Sequence, residues 1–253
     1  MKKLLNLFSS RLGQAALFGL ILLLPSQALA GKNVFKFFED TEIHGFVSTS
    51  YSYNTNKPAS ATNCGVTGTC LRIFDQDDNS FKLDIAELVF LKETPDVGDI
   101  GFRIDLAYGF SLPEVSQQGG SSPSIPKLTT NAAGDNDFDL QQAYVSWKAP
   151  VGNGLQLDMG KFITHIGLEV IEGYDGWNWY FSRIYLFGLA IPFVHTGIRA
   201  SYDINDQLSA MVALVNGFST TGTTDSNNAK SLGLQLGYAP TDNIGILVNW
   251  LGG

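Results

Sequence analysis

From Ile43 to the end of the chain, apolar residues alternate with polar or small ones at a period of two. The clearest run is 101–108, where Phe102, Ile104, Leu106 and Tyr108 oppose Gly101, Arg103, Asp105 and Ala107. In 194–204, Val194, Thr196, Ile198, Ala200, Tyr202 and Ile204 oppose His195, Gly197, Arg199, Ser201 and Asp203. In 231–238, Leu232, Leu234, Leu236 and Tyr238 oppose Ser231, Gly233, Gln235 and Gly237. A period of two is the signature of strands with unlike faces. It predicts strands at 43–53, 81–92, 100–110, 138–149, 155–163, 194–204, 208–218, 230–239 and 244–251.

Alternation alone does not choose the solvent, because a soluble sandwich shows it too. Strand length and connections do choose. The runs are about ten residues long, what a tilted strand needs to cross a bilayer, whereas soluble strands average about five or six. The connections after even-numbered strands are short: 93–99, Pro150-Val151-Gly152-Asn153-Gly154, Asn205-Asp206-Gln207 and 240–243. Those after odd-numbered strands are long and polar. Tight turns at one end and long loops at the other are the habit of an outer-membrane up-and-down β-barrel. Tyr51, Tyr53, Tyr108, Trp147, Tyr238 and Trp250 near run ends suit an aromatic girdle. The fold class expected is all-β, a transmembrane antiparallel barrel. An odd strand count and the ending Trp250-Leu251-Gly252-Gly253 predict that the barrel is incomplete in this chain.

The front end agrees with export. Lys2, Lys3 and Arg11 precede an apolar stretch, 15–24, and Ala28 and Ala30 supply small residues before Gly31. This reads as a signal peptide, 1–30, cleaved after Ala30, leaving 31–253 as one barrel domain. About ten apolar residues are too few for a spanning helix. Removing the signal takes three cations and no acid, leaving 13 basic against 24 acidic residues, a net charge of −11. That balance excludes a nucleic-acid partner, which would need a basic patch.

Cys64 and Cys70 share a Gly/Thr/Asn-rich stretch and are expected to form a small disulfide loop in an exported protein. No further Cys or His stands near them to make a metal site. The clusters Asp75-Gln76-Asp77-Asp78-Asn79 and Asp135-Asn136-Asp137-Phe138-Asp139 lack the Gly and Glu positions of a calcium loop and read as solvated loop acids. There is no Gly-x-Ser-x-Gly, no His-Glu-x-x-His and no phosphate loop, and only His44, His165 and His195 occur. No enzyme and no cofactor is expected.

The connection 164–193 is unlike the others. Trp177, Trp179, Tyr180, Phe181, Tyr185, Leu186 and Phe187 make it too apolar to stand in water. It is therefore expected to fold against the inner wall, as the third loop does in general porins, and to present Glu169, Glu172, Asp175 and Arg183 as a constriction; the alternative is an external lid or a contact between protomers. The wall candidates from the alternation are Asp84, Arg103, Asp105, Asp158, His195, Arg199 and Asp203. Charge at the narrowest point selects ions, so the excess of acids predicts a weak cation preference.

Gly160-Lys161-Phe162-Ile163-Thr164-His165-Ile166-Gly167-Leu168-Glu169, with Asn178, Phe181-Ser182-Arg183 and Pro192-Phe193-Val194-His195-Thr196-Gly197-Ile198-Arg199, resembles the OmpL-like β-barrel porin family. The likeness runs from about Ile43 to the end. One departure is Tyr180-Phe181 where the family pattern commonly has Asn-Tyr. The resemblance implies an outer-membrane channel for small hydrophilic solutes or ions, in contact with lipid and lipopolysaccharide and open to homo-oligomer formation. It does not name the solute. The alternative is a closed structural or adhesive barrel that binds a partner through its loops.

Overall fold

A computed structural model describes residues 37–58, 63, 72–112, 115, 138–218 and 228–253. The expected signal peptide with its cleavage after Ala30, and the pair Cys64 and Cys70, lie outside the described residues. The chain divides into two units, Met1–Thr41 and Glu42–Gly253. In the first, the rings of Phe37 and Phe38 meet edge to face at 5.2 Å. The second holds the sheet.

Nine strands follow one another: β1 (Glu42–Ser52), β2 (Ser80–Lys92), β3 (Ile100–Tyr108), β4 (Phe138–Ala149), β5 (Leu155–Ile163), β6 (Val194–Asn205), β7 (Leu208–Val215), β8 (Ser231–Thr241) and β9 (Ile244–Gly252). A short helix, α1 (Tyr185–Leu189), lies between β5 and β6. Each strand pairs antiparallel with the next in the order β1 to β9, giving one up-and-down sheet. The sheet is not closed, and β1 and β9 are its edges. All nine expected strands are present. Two end early: β3 stops at Tyr108 and β7 at Val215. After β3 the chain turns at Gly109, whose φ of +152° brings its backbone so close that a Cβ would stand 2.5 Å from the Asp84 carbonyl oxygen. Leu112 and Val115 then fold into a buried cluster instead of extending the strand.

The two faces are inverted relative to a water-soluble sheet. Val47, Phe81, Ile104, Val145, Ile198, Val212, Leu234 and Val248 are exposed on one face, Phe81 by 86%. Asp84, Glu87, Arg103, Asp105, Asp139 and Asp158 are buried on the other, Asp105 completely. A soluble protein buries the first set and exposes the second. Tyr51 and Trp250 lie near the long-loop end of the exposed face and Trp147 and Tyr238 near the short-turn end, all about half exposed. Among the described residues no helix is long and apolar enough to cross a membrane, which says nothing of crossing by strands.

Two register shifts matter for the inner face. Between Ser48 and Thr49 the partner on β2 jumps from Ile85 to Leu83, leaving Asp84 as an extra residue. Between Asp105 and Leu106 the partner on β4 jumps from Gln142 to Leu140, leaving Gln141 extra. Such a bulge puts consecutive side chains on one side. Asp84 and Ile85 are accordingly both buried, as are Gln141 and Gln142.

Candidate solute passage

The connection 164–193 lies on the inner face of the sheet. Ile171, Phe187, Ile191 and Phe193 bury with Ile73, Phe74, Ile85, Ala107, Leu112 and Val115 in one cluster, with Phe46, Ile163, Ile166 and Phe181 against it. Burying a large apolar side chain is worth about 1.5–3 kcal/mol, so this cluster alone gives the loop a reason to stay. The apolar residues that do so differ from those expected. Trp177, Trp179, Tyr180, Tyr185 and Leu186 are exposed, Trp179 by 94%, while of the expected set only Phe187 is fully buried and Phe181 partly so. Ile171, Ile191 and Phe193 join Phe187 in the attachment.

Polar contacts fix the loop at defined points. Arg103 of β3 donates its Nε to both oxygens of Asp105, at 2.9 and 3.0 Å. Its Nη1 and Nη2 clamp the two oxygens of Asp175 in the loop, at 2.9 and 2.6 Å. Asp105 also accepts from Gln142 Nε2 at 2.7 Å. Beside this clamp Glu87 accepts the Tyr174 backbone N–H at 2.6 Å. Gly173 makes that approach possible, since a Cβ there would lie 2.6 Å from a Glu87 carboxylate oxygen. The Tyr174 ring stacks on His44 of β1 at 4.2 Å.

The remaining constriction candidates are used inside the loop. Arg183 is buried and its Nη2 reaches Glu172 at 2.7 Å, while its guanidinium lies over the rings of Phe74 and Phe181. Glu172 also accepts the Asn178 N–H at 3.1 Å. Asn178 joins Val170 in both directions, accepting its N–H at 3.0 Å and donating to its carbonyl at 2.7 Å. Glu169 accepts the Ile184 N–H at 2.8 Å, at the start of α1. Of the four acids and bases, Asp175 alone has a side chain close to half exposed, and it is the one clamped by Arg103.

The wall candidates divide in the same way. Asp84 accepts from Ser50 at 2.8 Å, and Lys82 stands over Phe110 and Phe181. Asp158 accepts from Arg199 Nε at 2.8 Å and from Ser146 at 2.7 Å. His195 is buried and its Nε2 bonds Thr164 Oγ1 at 2.9 Å, where the loop leaves β5. Asp203 is exposed at the short-turn end. Three contributors were not anticipated: Glu87, the pair Lys161 and Asp139 at 3.0 Å, and Gln235, which donates to the His165 carbonyl at 3.3 Å. Outside the strands two groups are displaced by burial, Asp75 upward and His165 downward from their ordinary values. Among the described residues no group of three His, Cys, Asp or Glu could hold a metal ion.

A strand-rich chain with an apolar outer face and an inward-folded loop can be compared directly with known families. The Putative beta-barrel porin-2, OmpL-like family matches residues 40–253, which contain all nine strands. The chain belongs to this family. Neither the curated proteins nor the solved structures offer a match. Membership gives this β-barrel porin a porin-type role at the outer membrane. It also explains the inversion of the faces, since the greasy side of a porin meets lipid.

On the inner side of this porin the loop leaves part of the wall bare. Toward the short-turn end a concavity of about 690 Å³ is lined by Asn153, Asp203, Asp206, Ser209, Gly237 and Leu247, with Asp203 paired directly with Ser209.

Proposed function

We propose that the protein lets small hydrophilic solutes or ions diffuse passively through the outer membrane, past the loop 164–193, without covalent chemistry or cofactor. In this reading it reaches the membrane through a signal peptide removed after Ala30, and its outer face contacts lipid and lipopolysaccharide. The observation that carries it is the inverted sheet: apolar residues exposed outward, charged residues enclosed inward with the loop folded over them. Charges enclosed in this way are tolerable only where partners or water reach them. Asp203, Asp206 and Asp242 at the short-turn end are exposed and acidic, which favours a weak cation preference among ions.

Single-channel recording of the purified protein in a planar lipid bilayer tests this. Discrete conductance steps are expected, with a reversal potential in a potassium chloride gradient of the sign that favours potassium. A sealed structural barrel would insert without giving steps, and a reversal potential favouring chloride would overturn the ion preference.

A further inference from the structure

The side of the loop 164–193 that is not packed on the wall is aromatic. Leu168, Trp177, Trp179 and Tyr180 are its most exposed large side chains, Trp179 by 94%. The loop lies on the inner face of the sheet, and in the porin reading lipid meets only the other face, so these rings turn toward the passage. Apolar surface left open in this way marks a place where something binds. The backbone beneath the rings is fixed. Between the two tryptophans, Asn178 donates its N–H to Glu172 and bonds Val170 in both directions. Just before them, Gly173 and Gly176 exchange backbone hydrogen bonds at 3.1 and 3.2 Å. A ring carried on a fixed backbone loses little freedom when a ligand arrives.

Charge decides the class of ligand. The loop carries Glu169, Glu172 and Asp175 against a single cation, Arg183, and Arg183 is taken by Glu172. Arg103 of β3 serves Asp175 and Asp105 together, so this trio keeps one negative charge in excess. Asp175 stands two residues before Trp177, and its side chain is 46% exposed. Other cations of this region already sit on aromatic rings. Lys82 lies over Phe110 and Phe181 at 4.4 and 4.9 Å, Arg183 over Phe74 at 4.5 Å and Arg72 over Tyr185 at 4.6 Å. Among the described residues no cation lies over Trp177, Trp179 or Tyr180. An excess of acid beside open indole faces suits a cation that carries apolar groups, which the charge and the ring face attract together. Potassium, held in its hydration shell, gains the charge without the ring.

We propose that Trp177, Trp179 and Tyr180, with Asp175 beside them, form a binding site for organic monocations of quaternary ammonium chemistry on the loop that borders the passage. This rests on the porin reading and names a solute class for it. The weak cation preference among ions has a separate source, the acids at the short-turn end.

Recording of the full chain in planar bilayers in potassium chloride tests it, with choline added and compared with dimethylbutanol, its neutral carbon isostere. Choline is expected to reduce the potassium current at a concentration severalfold below that of the isostere. If conductance steps appear and choline has no such advantage, the inference falls while the porin reading stands. Rings covered by another surface, a second copy included, would give that result. If the inserted, folded protein gives no steps, the porin reading falls and takes the inference with it. The double change Trp177→Leu and Trp179→Leu keeps apolar bulk without the ring faces, and is expected to raise the choline concentration needed severalfold. Trp177→Phe with Trp179→Phe is expected to retain most of the effect. A Leu variant as sensitive to choline as the unaltered protein would remove these residues from the site.

Discussion

The inner faces of β2–β3 and β7–β9 are built from the same alternating strands, yet they do opposite things with polarity. On β2–β3 the inward residues include Glu87, Arg103 and Asp105, and each meets a fixed partner, two of them in a loop some seventy or more positions away. On β7–β9 the inward residues are small, apolar or amide, buried at Met211, Ala213, Val215 and Ser231 and open toward the short-turn end. Glu87 and Arg103 therefore hold the loop, while Asp139 and Asp158 pair with Lys161 and Arg199 of the wall itself. A lone charge beneath a packed loop would be costly, whereas a charge that receives a loop residue supplies attachment and register together.

The difference has measurable consequences, the largest at Arg103. Arg103→Ala leaves Asp105, completely buried, without its cation and frees Asp175. Removing one partner of a buried pair costs about 3–5 kcal/mol. The folded, heat-modifiable form on a detergent gel is expected to convert at a distinctly lower temperature, and single-channel conductance to rise as the loop comes away. An unchanged transition temperature would mean that the clamp does not hold the loop.

The matching change on the other side is smaller. Gln235→Ala removes neutral hydrogen bonds to Asn249 and to the His165 carbonyl. Neutral bonds of this kind are worth about 0.5–1.5 kcal/mol each. A small downward shift in the same gel assay is expected, with conductance close to that of the unaltered protein. If it proved as damaging as Arg103→Ala, the two faces would be held by comparable forces and the contrast between them would fail.

Much of this arrangement was legible in the sequence, and the part that was not has a definite cause. The strands, their order and the two kinds of connection follow from period and turn composition, because a strand with one lipid-facing side must alternate. Arg103 and Asp105, two residues apart, share one face of β3 as strict alternation requires. Glu87 was missed because it lies three residues from Asp84, an offset that strict alternation assigns to opposite faces. The bulge at Asp84 cancels the offset and brings both carboxylates inward. The bulge at Gln141 does the same for Asp139 and Gln142. In the loop, composition indicated that apolar residues attach it, yet which ones do so depends on long-range packing. The aliphatic side chains of Ile171 and Ile191 fill the cluster, while the larger Trp177 and Trp179 stay outside it. The absence of charge from β7 to β9 is visible in the sequence itself, whereas the contacts of His165 with Gln235 and Trp250 on those strands are not.

The smallest effect expected separates the two faces by pH, at the point where the loop touches the neutral one. His165 lies over β8, its ring so close to Gly233 that a Cβ there would stand 2.8 Å from Cε1. Its Nε2 donates to the Trp250 carbonyl at 3.4 Å. Burial, the largest influence, disfavours its charged form, the Trp250 contact acts in the opposite sense, and nearby Arg199 adds to the lowering. Its value in the folded protein therefore lies below the ordinary 6.5. The unfolded or released loop takes up a proton first as pH falls. The attachment at His165 is fully present above pH 6.5 and is lost progressively as pH drops toward the lowered folded value. His165→Gln keeps a donor at this position without a titrating group. The gel transition of the unaltered protein is thus expected to fall slightly on acidification from pH 7 to pH 5, in about the range where an ordinary His titrates, and that of His165→Gln to fall less. The clamp at Arg103 has no His among its bonded partners, and equal sensitivity in both proteins would assign the pH response to groups other than His165 and remove His165 from the attachment.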